Sequence, residues 1–491
     1  MQRLLLYEIN TRCWLRELSD AAGRQIALGN VPESEFLVWK RAGVSHLWLM
    51  GVWTTGDRSR RACLESPGTR RRLDELLPGW NPADVPGSPY AVTSYRVAES
   101  LGGDAALKAF RVRLHSHGIR LILDFVPNHV GLDHPWLAER PELFVQSVGE
   151  QAGTFRVSSP GGERWIAHGK DPYFPAWIDT AQLDFRYAAT RKAVIEDLKS
   201  VADQCDGVRC DMAMLLLNDV FARNWQHFPV HEREPTDEFW TQAIAATRRE
   251  DFLIIAEAYW DLELRLQALG FDYTYDKRVT DFIIEKRWAE LQAHLLSRGT
   301  DFVRRSIHFL ENHDEARIAS RLSLADHEIA AAILAVLPGM PLLYEGQLHG
   351  TKIQVPVQAG RRPGEVADLV IQALYKRLFK RLDLARPDRR TGCVVKPESI
   401  ATADQGVESV IAVLWSTFDQ KLVLAAVNPL EAPVSFAIDL TSVADDNARR
   451  LTAKLVAEEQ STQTPPVIHD GRLMIHCMQK SFQLIDLIPG E

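Results

Sequence analysis

Residues 121–125 read LILDF, residues 207–211 read GVRCD and residues 253–257 read LIIAE. The first and third are nearly unbroken apolar runs, all three are too short for a helix, and each has an acidic residue at or near its end. Such runs suit parallel strands that are covered on both faces, where no polar residue has to alternate. Between them, apolar residues return at helical spacing. Leu107, Phe110 and Leu114 form one stripe, halted by Gly118. Val194, Leu198 and Val201 form the next, just before Gly207. Ile329, Ile333 and Val336 form a third, ended by Pro338 and Gly339.

Outward from these, residues 4–8, 46–50, 273–276, 306–312 and 341–344 bring the strand candidates to eight. Eight strand-then-helix units predict an α/β chain folded as a (β/α)8 TIM barrel. An open doubly wound sheet shares the alternation, but no glycine-rich phosphate fingerprint supports it. Two stretches break the pattern. Residues 136–184, rich in Pro, Gly and aromatics, are too long for a plain strand-to-helix loop and are expected to form a small inserted lobe after strand 3. From about residue 390 the pattern turns to short alternating strands at 410–415, 422–427, 434–438 and 473–477, with turns at Asn428-Pro429 and Asp470-Gly471. The expected organisation is a barrel over 1–389, a lobe at 136–184 within it and a C-terminal antiparallel β-sandwich domain over 390–491.

The 491 residues are 46% hydrophobic and 25% charged, the profile of a soluble globular protein. A net charge of −8 argues against a nucleic-acid partner, which needs a basic footprint. No apolar run approaches the roughly 20 residues that cross a bilayer, so no membrane association is expected. The N-terminus lacks a signal-peptide core and cleavage site. Cys13, Cys63, Cys205, Cys210, Cys393 and Cys477 show no paired spacing and read as reduced thiols of a cytoplasmic protein. Oligomeric state is not written in any of these features.

In a TIM barrel the reactive residues sit at the C-terminal ends of the strands. Strand 3 closes with Asp124, followed by Asn128 and His129. Strand 4 carries Arg209 and ends in Asp211, strand 5 ends in Glu257, and strand 7 closes with Asn312, His313 and Asp314. A single strand-end carboxylate is often just a helix cap. Carboxylates from several strands of one barrel suit glycosidic-bond chemistry, in which one carboxyl attacks and another donates a proton. Arg209 lies two residues before Asp211 and so points the same way, which would hold Asp211 ionised. Glu257 has Ile255, Ala256, Ala258 and Tyr259 as sequence neighbours, and the expected apolar surround favours the proton-donor role.

At this point the chain resembles glycoside hydrolase family 13, the α-amylase family. The resemblance covers nearly the whole chain and rests on four ordered segments: DFVPNH (124–129), GVRCD (207–211), IIAEAYW (254–260) and FLENHD (309–314). SPYAVTSY (88–95), DTAQLDF (179–185) and PGMPLLYEGQ (338–347) support it. It implies Asp211 as nucleophile, Glu257 as acid/base and Asp314 as the third carboxylate, which grips sugar hydroxyls. It implies His129 and His313 as hydrogen-bonding partners of the sugar, Tyr90 stacked on it, Arg209 paired with the nucleophile, and Asp124 and Asn128 as supporting positions. Asn128 is also the one candidate calcium ligand. Met214 and Leu215 stand where α-amylases commonly carry a Lys-His pair, which argues against the usual calcium site and against a plain starch-degrading α-amylase. Ser94 and Leu348 replace frequent acidic residues. No cofactor is required by the chemistry.

Trp260, just past Glu257, and Tyr259 are candidates for a sugar platform, with barrel-rim packing the equal alternative. Arg58, Arg60, Arg61 and Arg70–Arg72 read as a solvated face. His115 and His117 read as histidines placed at a helix C-terminus rather than metal ligands. Arg361 and Arg362 rim the cleft or serve a loop without substrate contact. The expected activity is retaining hydrolysis of α-glucosidic bonds in maltooligosaccharides or small α-glucosides. A transferase or isomerising enzyme, in which a sugar acceptor replaces water, stays open, as does a catalytically silent binding protein.

Overall fold

A computed structural model describes residues 4–159, 161–230, 235–385, 388, 390–400, 405–417, 421–441, 451–456 and 464–489. Eight strands close into a barrel in chain order: β1 (Leu6–Asn10), β2 (His46–Met50), β3 (Arg120–Phe125), β4 (Gly207–Cys210), β5 (Leu253–Ala256), β6 (Tyr273–Tyr275), β7 (Ser306–Phe309) and β8 (Met340–Tyr344). The predicted (β/α)8 barrel is therefore correct, with shifted ends. The first strand runs to Asn10 rather than Glu8, because Asn10 Oδ1 accepts from Cys13 N and caps the helix Thr11–Ala22. The seventh stops at Phe309 rather than reaching Asn312, whose Oδ1 accepts from Asp314 N and Glu315 N, both at 2.9 Å, and turns the chain.

Two compact units make up the chain: residues 7–275 with 354–364, and residues 1–6 with 276–353 and 365–491. In the first, β2–β3, β3–β4, β4–β5 and β5–β6 pair in parallel. The register sets Arg209 beside Asp124 on one side and Ile255 on the other. Gly207 opens β4 where a Cβ would come within 2.7 Å of Ile122 Cδ1 and Leu253 O, so only glycine lets the three strands pack there. Between β3 and the helix Ala188–Gln204 lies the inserted lobe. Its root is a two-stranded ladder that pairs Thr180–Gln182 with His129–Gly131, and its body is a three-stranded antiparallel sheet of Gln146–Ser147, Gly162–Ala167 and Thr154–Ser159.

The chain leading into the lobe also completes a helix outside it. The helix Asp57–Glu65 begins at Gly56, which has no side chain to cap it. Asp133 supplies the cap, with Oδ2 accepting from Arg58 N at 2.8 Å and Ser59 N at 3.3 Å. A Cβ on Gly56 would lie 2.1 Å from that oxygen, so the capping approach needs glycine.

In the second unit, β7 and β8 pair in parallel. Among the described residues eight C-terminal strands follow: β9 (Cys393–Val395), β10 (Ile411–Ser416), β11 (Leu422–Asn428), β12 (Val434–Asp439), β13 (Leu451–Leu455), β14 (Val467–His469), β15 (Arg472–Cys477) and β16 (Ser481–Pro489). They form a five-stranded sheet in the order β9-β10-β11-β16-β13 and a three-stranded sheet in the order β12-β15-β14. Leu424 and Ile485 of one sheet and Phe436 and Ile475 of the other are buried in one core, which makes the predicted sandwich. Gln292, in the helix Trp288–Arg298, donates to Val407 O and Val410 O at 2.8 and 2.7 Å and ties the sandwich to the barrel part of its unit. The expected boundary at 389/390 adjoins residues 386, 387 and 389, which lie outside the described residues.

All six cysteines are free thiols. Among the described residues no helix is long and apolar enough to cross a membrane.

Candidate active site

Asp211 follows β4 directly and Glu257 follows β5 directly, two adjacent parallel strands. Asp211 N donates to Phe125 O at 2.8 Å and Glu257 N to Cys210 O at 3.0 Å, so both residues leave the barrel still held by its ladder. Arg209 binds both carboxylates. Its Nη1 lies 2.6 Å from Asp211 Oδ1 and its Nη2 lies 2.8 Å from Glu257 Oε2. Asp124 Oδ1 is 3.6 Å from Nη1, while Asp124 Oδ2 accepts from Gly51 N. The guanidinium is 1% exposed and faces the rings of Trp48, Tyr90 and Tyr275 at 5.1, 5.6 and 5.8 Å. Burial works against its charge, but Glu257, Tyr275, Tyr90 and Asp211 push its pKa well above the ordinary arginine value.

The expected apolar surround of Glu257 is thereby corrected. Its Oε2 accepts from Arg209 and, at 2.6 Å, from Met212 N, and its Oε1 accepts from the Tyr259 hydroxyl at 2.9 Å. The reason is register. Arg209 sits opposite Ile255, two residues short of Glu257, so its second nitrogen crosses the gap between the strands. Met212 contributes through its backbone, which takes the left-handed conformation with φ 44° and turns its N–H toward the carboxylate. For a non-glycine residue that costs about 1–2 kcal/mol, and it sits directly after Asp211. Tyr275, Trp48 and Met212 were not singled out in the sequence. The aromatic closing β6 was the one available signal among them.

His129 and Asn128 sit at the lobe's root. His129 is 3% exposed, with its ring centroid 5.0 Å from that of Trp177. Burial pushes its pKa down to about 4 against upward pulls from Asp179 and the Tyr90 backbone, so it is neutral near pH 7. The structure thus brings Tyr90, Asp124, Asn128, His129, Arg209, Asp211 and Glu257 into one unit around β3 to β5. Trp260 joins them on the rim. Its backbone is left-handed with φ 65°, and its ring meets that of Tyr173 edge-on at 5.1 Å. Tyr173 and Phe174 remain 69% and 72% exposed, so this rim is aromatic and open to solvent.

His313 and Asp314 lie in the other unit, in the turn after β7. His313 is buried and its Nε2 is 3.0 Å from Asp314 Oδ2, and the Asp314 side chain is 47% exposed. Beneath them Arg317 Nη1 donates to buried Glu311 at 2.8 Å and to Glu345 O at 2.8 Å, which fixes the turn.

The residues present do not fit a calcium ion. Asn128 Oδ1 already accepts from Gln182 Nε2 at 3.0 Å, and no group of three or more His, Cys, Asp or Glu able to hold a metal occurs among the described residues. The remaining candidates have structural partners. His115 and His117 pair with Asp206 and Glu33 at 2.8 and 2.7 Å. Arg58 and Arg60 donate to Leu132 O and Val85 O. Arg361 pairs with Asp84 at 3.0 Å and Arg362 with Glu17, which fastens residues 354–364 to the start of the chain.

Comparison with known proteins bears on this site. Residues 81–373 match the family model described as the alpha amylase catalytic domain. The chain is 25% identical over 279 residues to alpha-amylase MalA of Haloarcula japonica, covering 56% of this chain and 37% of that protein. It is 22% identical over 325 residues to a probable oligo-1,6-glucosidase 2 of Bacillus subtilis, covering 53% of this chain and 55% of that one. The chain thus spans between about a third and just over half of the curated relatives it matches. The crystal structure of a maltogenic alpha-amylase, AmyB, from Thermotoga neapolitana is similar in fold, with a TM-score of 0.66 and 20% identity over 99% of this chain and 98% of that one.

Proposed function

The chain belongs to the alpha-amylase family, and from that premise we propose that it is a retaining glycoside hydrolase acting on α-glucosidic bonds of maltooligosaccharides or small α-glucosides. The observation that carries the reading is the single guanidinium shared by Asp211 and Glu257. Two carboxylates bound to two nitrogens of one planar group support the close spacing of a retaining pair, about 5–5.5 Å, rather than the wider inverting gap that admits a water.

Asp211, held ionised by Arg209, attacks the anomeric carbon while Glu257 gives its proton to the leaving oxygen. A covalent glycosyl-enzyme forms, and water, deprotonated by Glu257, releases the sugar with retained configuration. Charge count favours this division of labour. Arg209 faces Asp211, Glu257 and the more distant Asp124, so a proton on Glu257 relieves an excess of buried negative charge. Asp314 and His313 are the expected grips on sugar hydroxyls, Tyr90 and His129 are the expected sugar partners within the unit that holds Asp211 and Glu257, and Trp260 serves an acceptor sugar. The open aromatic rim at Trp260, Tyr173 and Phe174 favours a second reading, in which a sugar hydroxyl replaces water as acceptor. A barrel over 1–389 enclosing a lobe at 136–184, followed by a β-domain over 390–491, is the division of labour proposed along the chain, in a cytoplasmic enzyme that needs no cofactor.

The test is to incubate the protein with a 5-fluoro-α-glucosyl fluoride and locate the adduct by mass spectrometry of peptides. A glucosyl ester on Asp211 is expected. A protein that hydrolyses the fluoride with inverted product, or carries the adduct elsewhere, overturns the proposal.

A further inference from the structure

Asn128 and Gln182 form a buried amide pair whose polarity is decided by the backbone. Gln182 Nε2 lies 2.8 Å from Asn128 O and 3.0 Å from Leu183 O. Backbone carbonyls only accept, so this end of the glutamine is its NH2 group. The same nitrogen lies 3.0 Å from Asn128 Oδ1, which is therefore the oxygen end of the asparagine. The Asn128 NH2 is left to donate to Gln182 Oε1 at 3.2 Å and to His129 Nδ1 at 3.3 Å. A ring nitrogen that receives a hydrogen bond carries no proton, so neutral His129 keeps its proton on Nε2. Both amides are fully buried, so an unmade bond within the chain is costly.

The neighbouring carboxylates have other work. Asp184 is gripped by Arg186 through both oxygens, at 2.8 and 2.6 Å, and Asp179 Oδ2 accepts from Cys63 Sγ at 3.2 Å. A hard cation would need several free oxygen ligands at this spot. We infer that Gln182 is a positioning residue that stands in for a cation at the root of the lobe and, through Asn128, sets the Nε2-protonated tautomer of His129. The inference rests on the glycosidase reading only for what His129 borders, and its test uses no turnover.

The experiment is 15N NMR of protein labelled at histidine, with the His129 signals assigned from His129→Gln. Wild type is expected to show one unprotonated Nδ1 and one protonated Nε2 at about pH 7. Gln182→Glu, read at a pH where the introduced carboxyl is ionised, offers only acceptors, reverses the Asn128 amide and moves the ring proton to Nδ1. A wild-type ring protonated on Nδ1, or an unchanged ring in folded Gln182→Glu, overturns the inference. Should that variant not fold, Gln182→Met removes the polarity without reversing it. A mixture of tautomers is then expected, and a pure Nε2–H ring overturns the inference. The wild-type melting temperature is expected to agree within about 1 °C between EDTA and calcium chloride, because both amides are already satisfied. A clear fall in EDTA overturns the cation-free lock. Failure of the glycosidase reading would appear instead as a missing adduct on Asp211, with these spectra intact.

Discussion

Two regions of one barrel rim hold their side chains by opposite means. At the ends of β4 and β5, Arg209 binds Asp211 and Glu257 by charge inside an aromatic box. At the lobe's root, Asn128, Gln182 and His129 are held by neutral donors and acceptors, and the histidine stays uncharged. Charge tolerates small errors of geometry, but it leaves a buried remainder when one partner is lost. A neutral chain carries direction, because each donor must meet an acceptor, and it fails by losing its sense rather than its charge balance.

The comparison breaks first, and most widely, at the carboxylates. Asp211→Asn or Glu257→Gln is expected to cut kcat on an activated α-glucoside by about 10^4-fold or more, with the urea midpoint nearly unchanged because Arg209 keeps its other partner. Near-normal turnover in either variant would take these residues out of the chemistry. Arg209→Met leaves both carboxylates buried without their shared cation. It should lower turnover by about 10^3-fold and the unfolding free energy by about 3–5 kcal/mol, read from paired kinetics and urea melts. A stable Arg209→Met protein would mean that the charged centre is not held as described. Gln182→Leu removes the Gln182 donor from the Asn128 amide oxygen and the Leu183 carbonyl, while Asn128 O keeps Leu183 N, and should cost about 1–3 kcal/mol in the same melt.

The last effect, of similar size, is with acid. Burial holds His129 at about 4 when folded, against about 6.5 unfolded. Between those values the unfolded chain binds more protons, so the stability this histidine contributes is full above about pH 6.5 and lost as the pH falls toward 4. The loss is up to about 1.4 kcal/mol per pH unit. His46, His134 and His327, each at about 4 through burial, act in the same direction. Urea melts at pH 7 and pH 5 of wild type and His129→Gln measure the share due to His129, and an equal acid loss in both would remove it.

The barrel was legible because its strands are buried on both faces and therefore write themselves as apolar runs. Asp211 and Glu257 were legible because they stop those runs. What escaped was whatever depends on a neighbour distant in sequence. The second nitrogen of Arg209 reaches Glu257, 48 residues on, through a strand register that no local pattern encodes. The Gln182 amide meets Asn128 across 54 residues, and only the ladder at the lobe's root aligns them. Met212 was hidden for another reason. Its side chain is apolar, and the group that matters is a backbone N–H aimed by a left-handed turn.

Asp133 gives the lobe a part in keeping its surroundings folded. The carboxylate that ends the helix Asp57–Glu65 belongs to the chain leading into the lobe, and Gly56 leaves it the space. An outward swing of that chain would unplug the helix and expose its first amides, at a cost of about 1 kcal/mol. Glycine at position 56 thus works as a keyhole. Fill it, and the chain entering the lobe loses its latch.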